Sequence, residues 1–102
     1  MREISEAERV LASTLAKTII RRRKELGKTQ EQVALEAEID RNHYQLMEHA
    51  RSDRKSNYPS NPRLSTLIKL AKVLDCSVDD LLADALAEHD RVERATQAIN
   101  GY

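Results

Sequence analysis

The chain has no phenylalanine and no tryptophan, and only two glycines, two prolines and one cysteine in 102 residues. Each scarcity excludes something. The apolar residues are mostly Leu, Ile, Val and Ala, which favours helices over a β-rich fold that would draw on more aromatic and β-branched side chains. So few Gly and Pro leave room for long unbroken helices. Cys76 stands alone, so no intrachain disulfide can form. Set between Leu74 and Val78, with Asp75 rather than a base beside it, it reads as a buried, inert thiol. No apolar run approaches the ~20 residues needed to span a bilayer, and the amino-terminal residues are polar and acidic. The expectation is a soluble cytoplasmic protein without membrane contact. His43, His49 and His89 lack ligand spacing and have no second cysteine to help them, so neither a metal nor another cofactor is expected. No nucleophile, base and pocket are assembled, and the chain does not read as an enzyme.

What is present is charge, 33% of all residues, balanced at 17 basic against 17 acidic. A net charge of zero argues against a nucleic-acid partner, but the distribution matters more than the sum. Between Ile20 and Arg63 there are ten basic residues and seven acidic ones, a balance of +3; from Leu64 onward there are four and seven, a balance of −3. One half of the chain can approach phosphates while the other turns away.

The helix signals come in order. Ser5-Glu6-Ala7-Glu8 has the form of a capping box. Val10, Leu11, Leu15, Ile19 and Leu26 then form one apolar stripe, predicting a long first helix over Glu6 to Leu26. Arg21 to Lys24 complement its dipole, and Gly27 supplies a left-handed cap. Thr29 to Gln32 is a second capping box. Val33, Ala34 and Ala37 make the inner face of the helix that follows. Asp40 opens a third helix, with Tyr44 and Met47 inward and the tyrosine hydroxyl at the rim. Residues 51–61 are loop-like. Asn61 and Pro62 suit the start of a fourth helix, whose core face would be Leu64, Leu67, Ile68, Ala71 and Leu74. Ser77 to Asp80 is a further capping signal, leading into Leu81, Leu82, Ala85 and Leu86. In that position Asp79 and Asp80 read as caps rather than catalytic carboxylates. Val92, Ala95, Ala98 and Ile99 give the remaining tail a weakly amphipathic pattern, before a frayed Asn100-Gly101-Tyr102.

The stretch from Thr29 to Glu48 therefore reads as two short helices joined by a tight turn, a unit that can lay its second helix in a DNA major groove. Three segments sharpen the reading. They are Gly27-x-Thr29-Gln30-x-x-Val33-Ala34, the helix from Ile39 to Glu48, and Leu67-x-x-Leu70-Ala71-x-x-Leu74-x-x-Ser77-x-x-x-Leu81-Leu82. In that order and spacing, Leu15 to about Leu82 resembles the helix-turn-helix domain of the phage repressor and Cro family, also called the XRE family, over roughly two thirds of the chain.

The resemblance implies an all-α, compact five-helix, lambda-repressor-like domain over residues 15–86. Residues 1–14 would extend the first helix, and residues 87–102 would form a tail that is either a dimerisation helix or disordered. It also implies a transcriptional regulator that binds double-stranded operator DNA as a homodimer on a palindromic site. By position, Arg41 and Asn42 should read base edges, with Gln45 one turn on. Arg suits guanine O6 and N7, and Asn or Gln suits adenine N6 and N7. Lys28, Thr29 and Gln30, with Arg51, Arg54 and Lys55 from the loop, fall where relatives meet phosphates. His43 is left open between touching DNA and touching nothing. Arg23 and Glu48 occupy the positions of a structural ion pair. The chain departs from the family pattern at Glu38 and Ala50, where glycine is usual, and in the length of the 51–61 link. An alternative reading is a protein-interaction module of the antitoxin type, motivated by the long first helix and the acidic tail.

Overall fold

A computed structural model describes residues 3–99. Among them are five α-helices: α1 (Glu6–Glu25), α2 (Gln30–Glu36), α3 (Arg41–Glu48), α4 (Leu64–Val73) and α5 (Val78–Ile99). The architecture is all-α, and no helix among the described residues is long and apolar enough to cross a membrane.

The helix starts follow the local chemistry. Ser5 and Glu8 close one reciprocal capping box and Thr29 and Gln32 another. The Asp40 carboxylate accepts from the amides of Asn42 and His43. The Ser77 hydroxyl accepts from Asp80 N at 3.0 Å. The fourth start differs from expectation. Pro62 lies outside α4, and Arg63 is the N-cap without any side-chain cap bond.

The first four helices end in one common way. In each, the residue after the C-cap has a left-handed φ: Gly27 at 67°, Glu38 at 56°, Ala50 at 59° and Asp75 at 57°. Each time two amides fold back onto the last turn, as Glu38 N to Leu35 O at 3.1 Å and Ile39 N to Ala34 O at 2.9 Å illustrate. This is the Schellman closure, which glycine normally serves because it has no Cβ to clash. Three of the four sites lack glycine. At Glu38 the family's turn geometry is therefore kept, and the residue bears the strain.

α1 and α5, the two long helices, lie against each other, while α2 and α3 pack together beside α1. The core gathers Leu15, Ile19, Val33, Tyr44, Met47, Leu67, Leu70, Leu74, Leu81 and Ala85. Four residues expected inside are not. Leu26, Leu64, Ile68 and Leu86 are exposed: Leu26 is the C-cap beyond the last turn of α1 and Leu64 is the first residue of α4, while Ile68 and Leu86 sit at the edges of their apolar stripes. Tyr44 is buried outright, not at the rim. Of the two readings of the tail, the described part is helical: α5 runs unbroken to Ile99, with Val92 buried. The expected fray at Asn100, Gly101 and Tyr102 lies outside the described residues.

The 51–61 link is a folded hairpin. Arg51 and Pro59 form an antiparallel bridge, Ser52 N donates to Tyr58 O at 3.1 Å, and Ser60 N donates to Ala50 O at 3.0 Å. At its tip the Asp53 carboxylate accepts from Lys55 N, Ser56 N and Ser56 Oγ. Arg9, in the second turn of α1, donates through Nη1 to Asn57 O at 2.6 Å. That bond ties the loop to the amino-terminal end of α1.

Candidate nucleic-acid interface

The centre of the site is a buried carboxylate. Glu48 ends α3 with its side chain only 3% exposed, and Arg23 reaches it from α1. Arg23 Nε donates to Oε2 at 2.7 Å and Nη2 to Oε1 at 3.1 Å, while Nη1 donates to Lys28 O at 3.1 Å. The Tyr44 hydroxyl donates to Glu48 Oε2, and Gln30 Nε2 donates to Oε1 at 2.8 Å. Burial alone would raise the Glu48 carboxyl, but the donors from Arg23, Tyr44 and Gln30 together hold it below the usual carboxylate range. The same contacts act on the partners. Burial, then the Glu48 carboxylate, pushes the Tyr44 hydroxyl far up, and the bond to Glu48 raises the Arg23 guanidinium. A buried charge needs such complete satisfaction, because any missing donor leaves it desolvated and unpaired.

The network fixes which way α3 faces. Tyr44, Met47 and Glu48 turn inward. The opposite side presents Asn42, Gln45, Leu46 and His49, spaced three, four and seven residues along one stripe. These four residues, with Arg51 and Arg54 of the hairpin, line an open groove. Of the sequence-predicted base readers, Asn42 and Gln45 are in the groove. Arg41 lies beside it, exposed, with Nη1 2.9 Å from Glu31 Oε1. His43 is exposed but faces a second cleft with Glu38, Arg63 and Lys69.

The sequence-predicted phosphate ligands divide. Arg51, Arg54 and Lys55 are exposed on the hairpin, and Arg54 Nη2 donates to Asn42 Oδ1 at 3.3 Å. Thr29 is exposed at the start of α2, its hydroxyl capping Gln32 N. Gln30 is turned inward to Glu48. Lys28 also reaches inward, its Nζ 2.7 Å from Glu36 Oε1 and 3.2 Å from Val73 O at the end of α4. Of the basic run on α1, Arg23 is committed to Glu48 and Arg22 is half-buried, leaving Arg21 and Lys24 exposed.

His49, weighed in the sequence only as a metal ligand, and Leu46 also line the groove. Their signal was available in the spacing from Asn42. Cys76 is half-buried, and burial raises its thiol with Asp80 and Asp75 adding to the effect and Arg22 opposing it.

A helix-turn-helix family model matches residues 19–81. The chain belongs to the XRE-type helix-turn-helix family. The match spans α2, the turn at Glu38 and α3, takes in the hairpin, and ends early in α5. Comparison with curated proteins gave no match, and comparison with solved structures gave none. Members of the XRE-type family are DNA-binding regulators, and the family is not one of enzymes. Within the matched span, α2, the turn at Glu38 and α3 make up the two-helix unit of the family.

Proposed function

We propose that this chain is a sequence-specific transcriptional regulator that binds a palindromic operator as a homodimer. Two α3 helices would enter successive major grooves ~34 Å apart. The observation that carries the reading is the division of α3 into a face locked to Glu48 and an open face bearing Asn42 and Gln45, with Arg41 at its edge. Those side chains suit guanine and adenine edges. Arg51, Arg54 and Lys55 on the hairpin then meet the backbone beside the groove, with Thr29 and the first amides of α2 on the other side. Residues 15–86 form the DNA-binding unit in this reading.

The two subunits meet through α5, whose exposed Leu86 lies beside an apolar groove shared with Leu11, Leu67 and Leu82. The alternative, a module for a partner protein, drew on the long first helix and the tail; their packing on each other supplies a reason for both within one chain.

The test is an in vitro selection of bound DNA, repeated across salt concentrations. An enriched inverted repeat, with affinity falling steeply as salt rises, is the expected outcome. A selection without any enriched sequence overturns the proposal. Co-purification of a stable partner with salt-insensitive binding would favour the interaction module instead.

A further inference from the structure

Arg54 reaches from the hairpin to the open face of α3, where its Nη2 donates to Asn42 Oδ1 at 3.3 Å. The contact joins a charged donor to a neutral amide, although a carboxylate, Asp53, is its neighbour in the chain. Asp53 is committed to the turn, accepting from Lys55 N, Ser56 N and Ser56 Oγ. Arg41, by contrast, faces the Glu31 carboxylate at 2.9 Å. The hairpin is closed by the bridge between Arg51 and Pro59 and tied to α1 through Arg9. Arg54 is thus presented to the groove by an element that is already ordered. Its guanidinium carries five N–H donors in a fixed fork. Nη2 belongs to both two-donor edges of that fork, and Asn42 takes one of its hydrogens. Whichever hydrogen that is, the other edge stays whole.

We infer that Arg54 reads a guanine in the major groove, on the base pair beside the one that Asn42 reads. A two-donor edge of the guanidinium matches guanine O6 and N7. Successive base pairs lie ~3.4 Å apart, close to the separation of Arg54 from Asn42. A side chain bonded to the Asn42 amide therefore stands over base edges, inside the line of the phosphates. The inference rests on the DNA-binding reading and deepens it. Arg51 and Lys55 keep the backbone role, and Arg54 is set apart from them by its bond to α3. Sequence recognition then extends beyond the two-helix unit into the 51–61 link, whose length sets this chain apart.

Binding-site selections on the full chain test this, with wild type, Asn42→Ala, Arg54→Ala and Arg54→Lys compared. Arg54 is exposed on the hairpin, so its replacement leaves the core untouched. Wild type should enrich guanine next to the position that Asn42→Ala flattens, and Arg54→Ala should lose that guanine preference. Arg54→Lys keeps a charge for phosphate but lacks the fork, so the guanine preference should fall about tenfold while the salt dependence of affinity stays. Replacing the selected guanine by 7-deazaguanine removes only the N7 acceptor. It should weaken wild type about tenfold and leave Arg54→Ala unaffected. The inference is overturned if Arg54→Ala lowers affinity uniformly for all sequences, the signature of a phosphate contact. It is also overturned if Arg54→Lys keeps the full base preference, or if 7-deazaguanine is bound as well as guanine. A wild-type selection that enriches nothing is a different result, because it removes the DNA-binding reading itself.

Discussion

Arg23 and Glu48, 25 residues apart, meet through two parallel hydrogen bonds at 2.7 and 3.1 Å. The pair joins the end of α1 to the end of α3, so α3 is oriented by a charge and not by apolar packing alone. Replacing Glu48 by Ala leaves Arg23 and Tyr44 without their acceptor in a buried place. A loss of about 3–5 kcal/mol is expected in urea or thermal unfolding. An unchanged melting temperature would show that the pair does not hold the helix.

The same carboxylate makes stability depend on pH. Its folded value lies below its unfolded one, so its contribution is fully present above the ordinary carboxylate range. It is lost as pH falls through the depressed folded value. Wild type should therefore lose stability on acidification more steeply than Glu48→Gln, compared by urea titrations from neutral to strongly acidic pH. Parallel curves would contradict the assignment.

The left-handed C-caps offer a stabilising change. Glu38→Gly, Ala50→Gly and Asp75→Gly each remove a Cβ from a position with φ between 56° and 59°. Relief of about 1–2 kcal/mol is partly offset by the greater freedom of glycine in the unfolded chain. Each variant should gain about 0.5–1 kcal/mol net, with Asp75 gaining least because Asp tolerates this region best. A fall in melting temperature at Glu38→Gly would mean that its side chain contributes more than it strains.

The exposed hairpin cations should govern salt dependence. With Arg51, Arg54 and Lys55 all replaced by Ala, the slope of log affinity against log salt should flatten by roughly 0.9 for each phosphate no longer neutralised. Arg54→Ala alone should also loosen base preference where Asn42 reads, since Arg54 only donates and so holds Asn42 Oδ1 toward itself. An unchanged slope in the triple variant would move the phosphate-binding role elsewhere.

Self-association is tested at Leu86, which is 54% exposed on α5. A charge placed there by Leu86→Glu should leave the fold intact and convert a sedimenting dimer to monomer. A dimer that persists would place the interface away from this face of α5.

How far these features could be read from the sequence depends on their range. The capping boxes at Ser5 and Thr29 and the cap at Asp40 are local, and the residues that form them lie within one helical turn. The Arg23 and Glu48 pair is not local; only the family frame brings position 23 to position 48. Periodicity gave each helix a face but not its edges, so Leu64 and Ile68 were counted inside although no neighbour covers them. The inward turn of Gln30 and Lys28 was not legible. Both look like surface residues at a helix start, and the acceptors that draw them in come from α3, α2 and the end of α4. The strain at Glu38 and Ala50 could be expected because glycine is usual there, whereas Asp75 carried no such signal. The hairpin lay furthest from view, since its bridge and its tie to Arg9 join segments that share no periodic pattern.

The bond from Arg9 to Asn57 makes one structural unit of two additions that look separate along the chain. A loop that long would ordinarily wander, and a helix extended beyond its neighbours would ordinarily fray; here each restrains the other. Shortening the first turns of α1 would remove that tie from the hairpin that carries Arg51, Arg54 and Lys55.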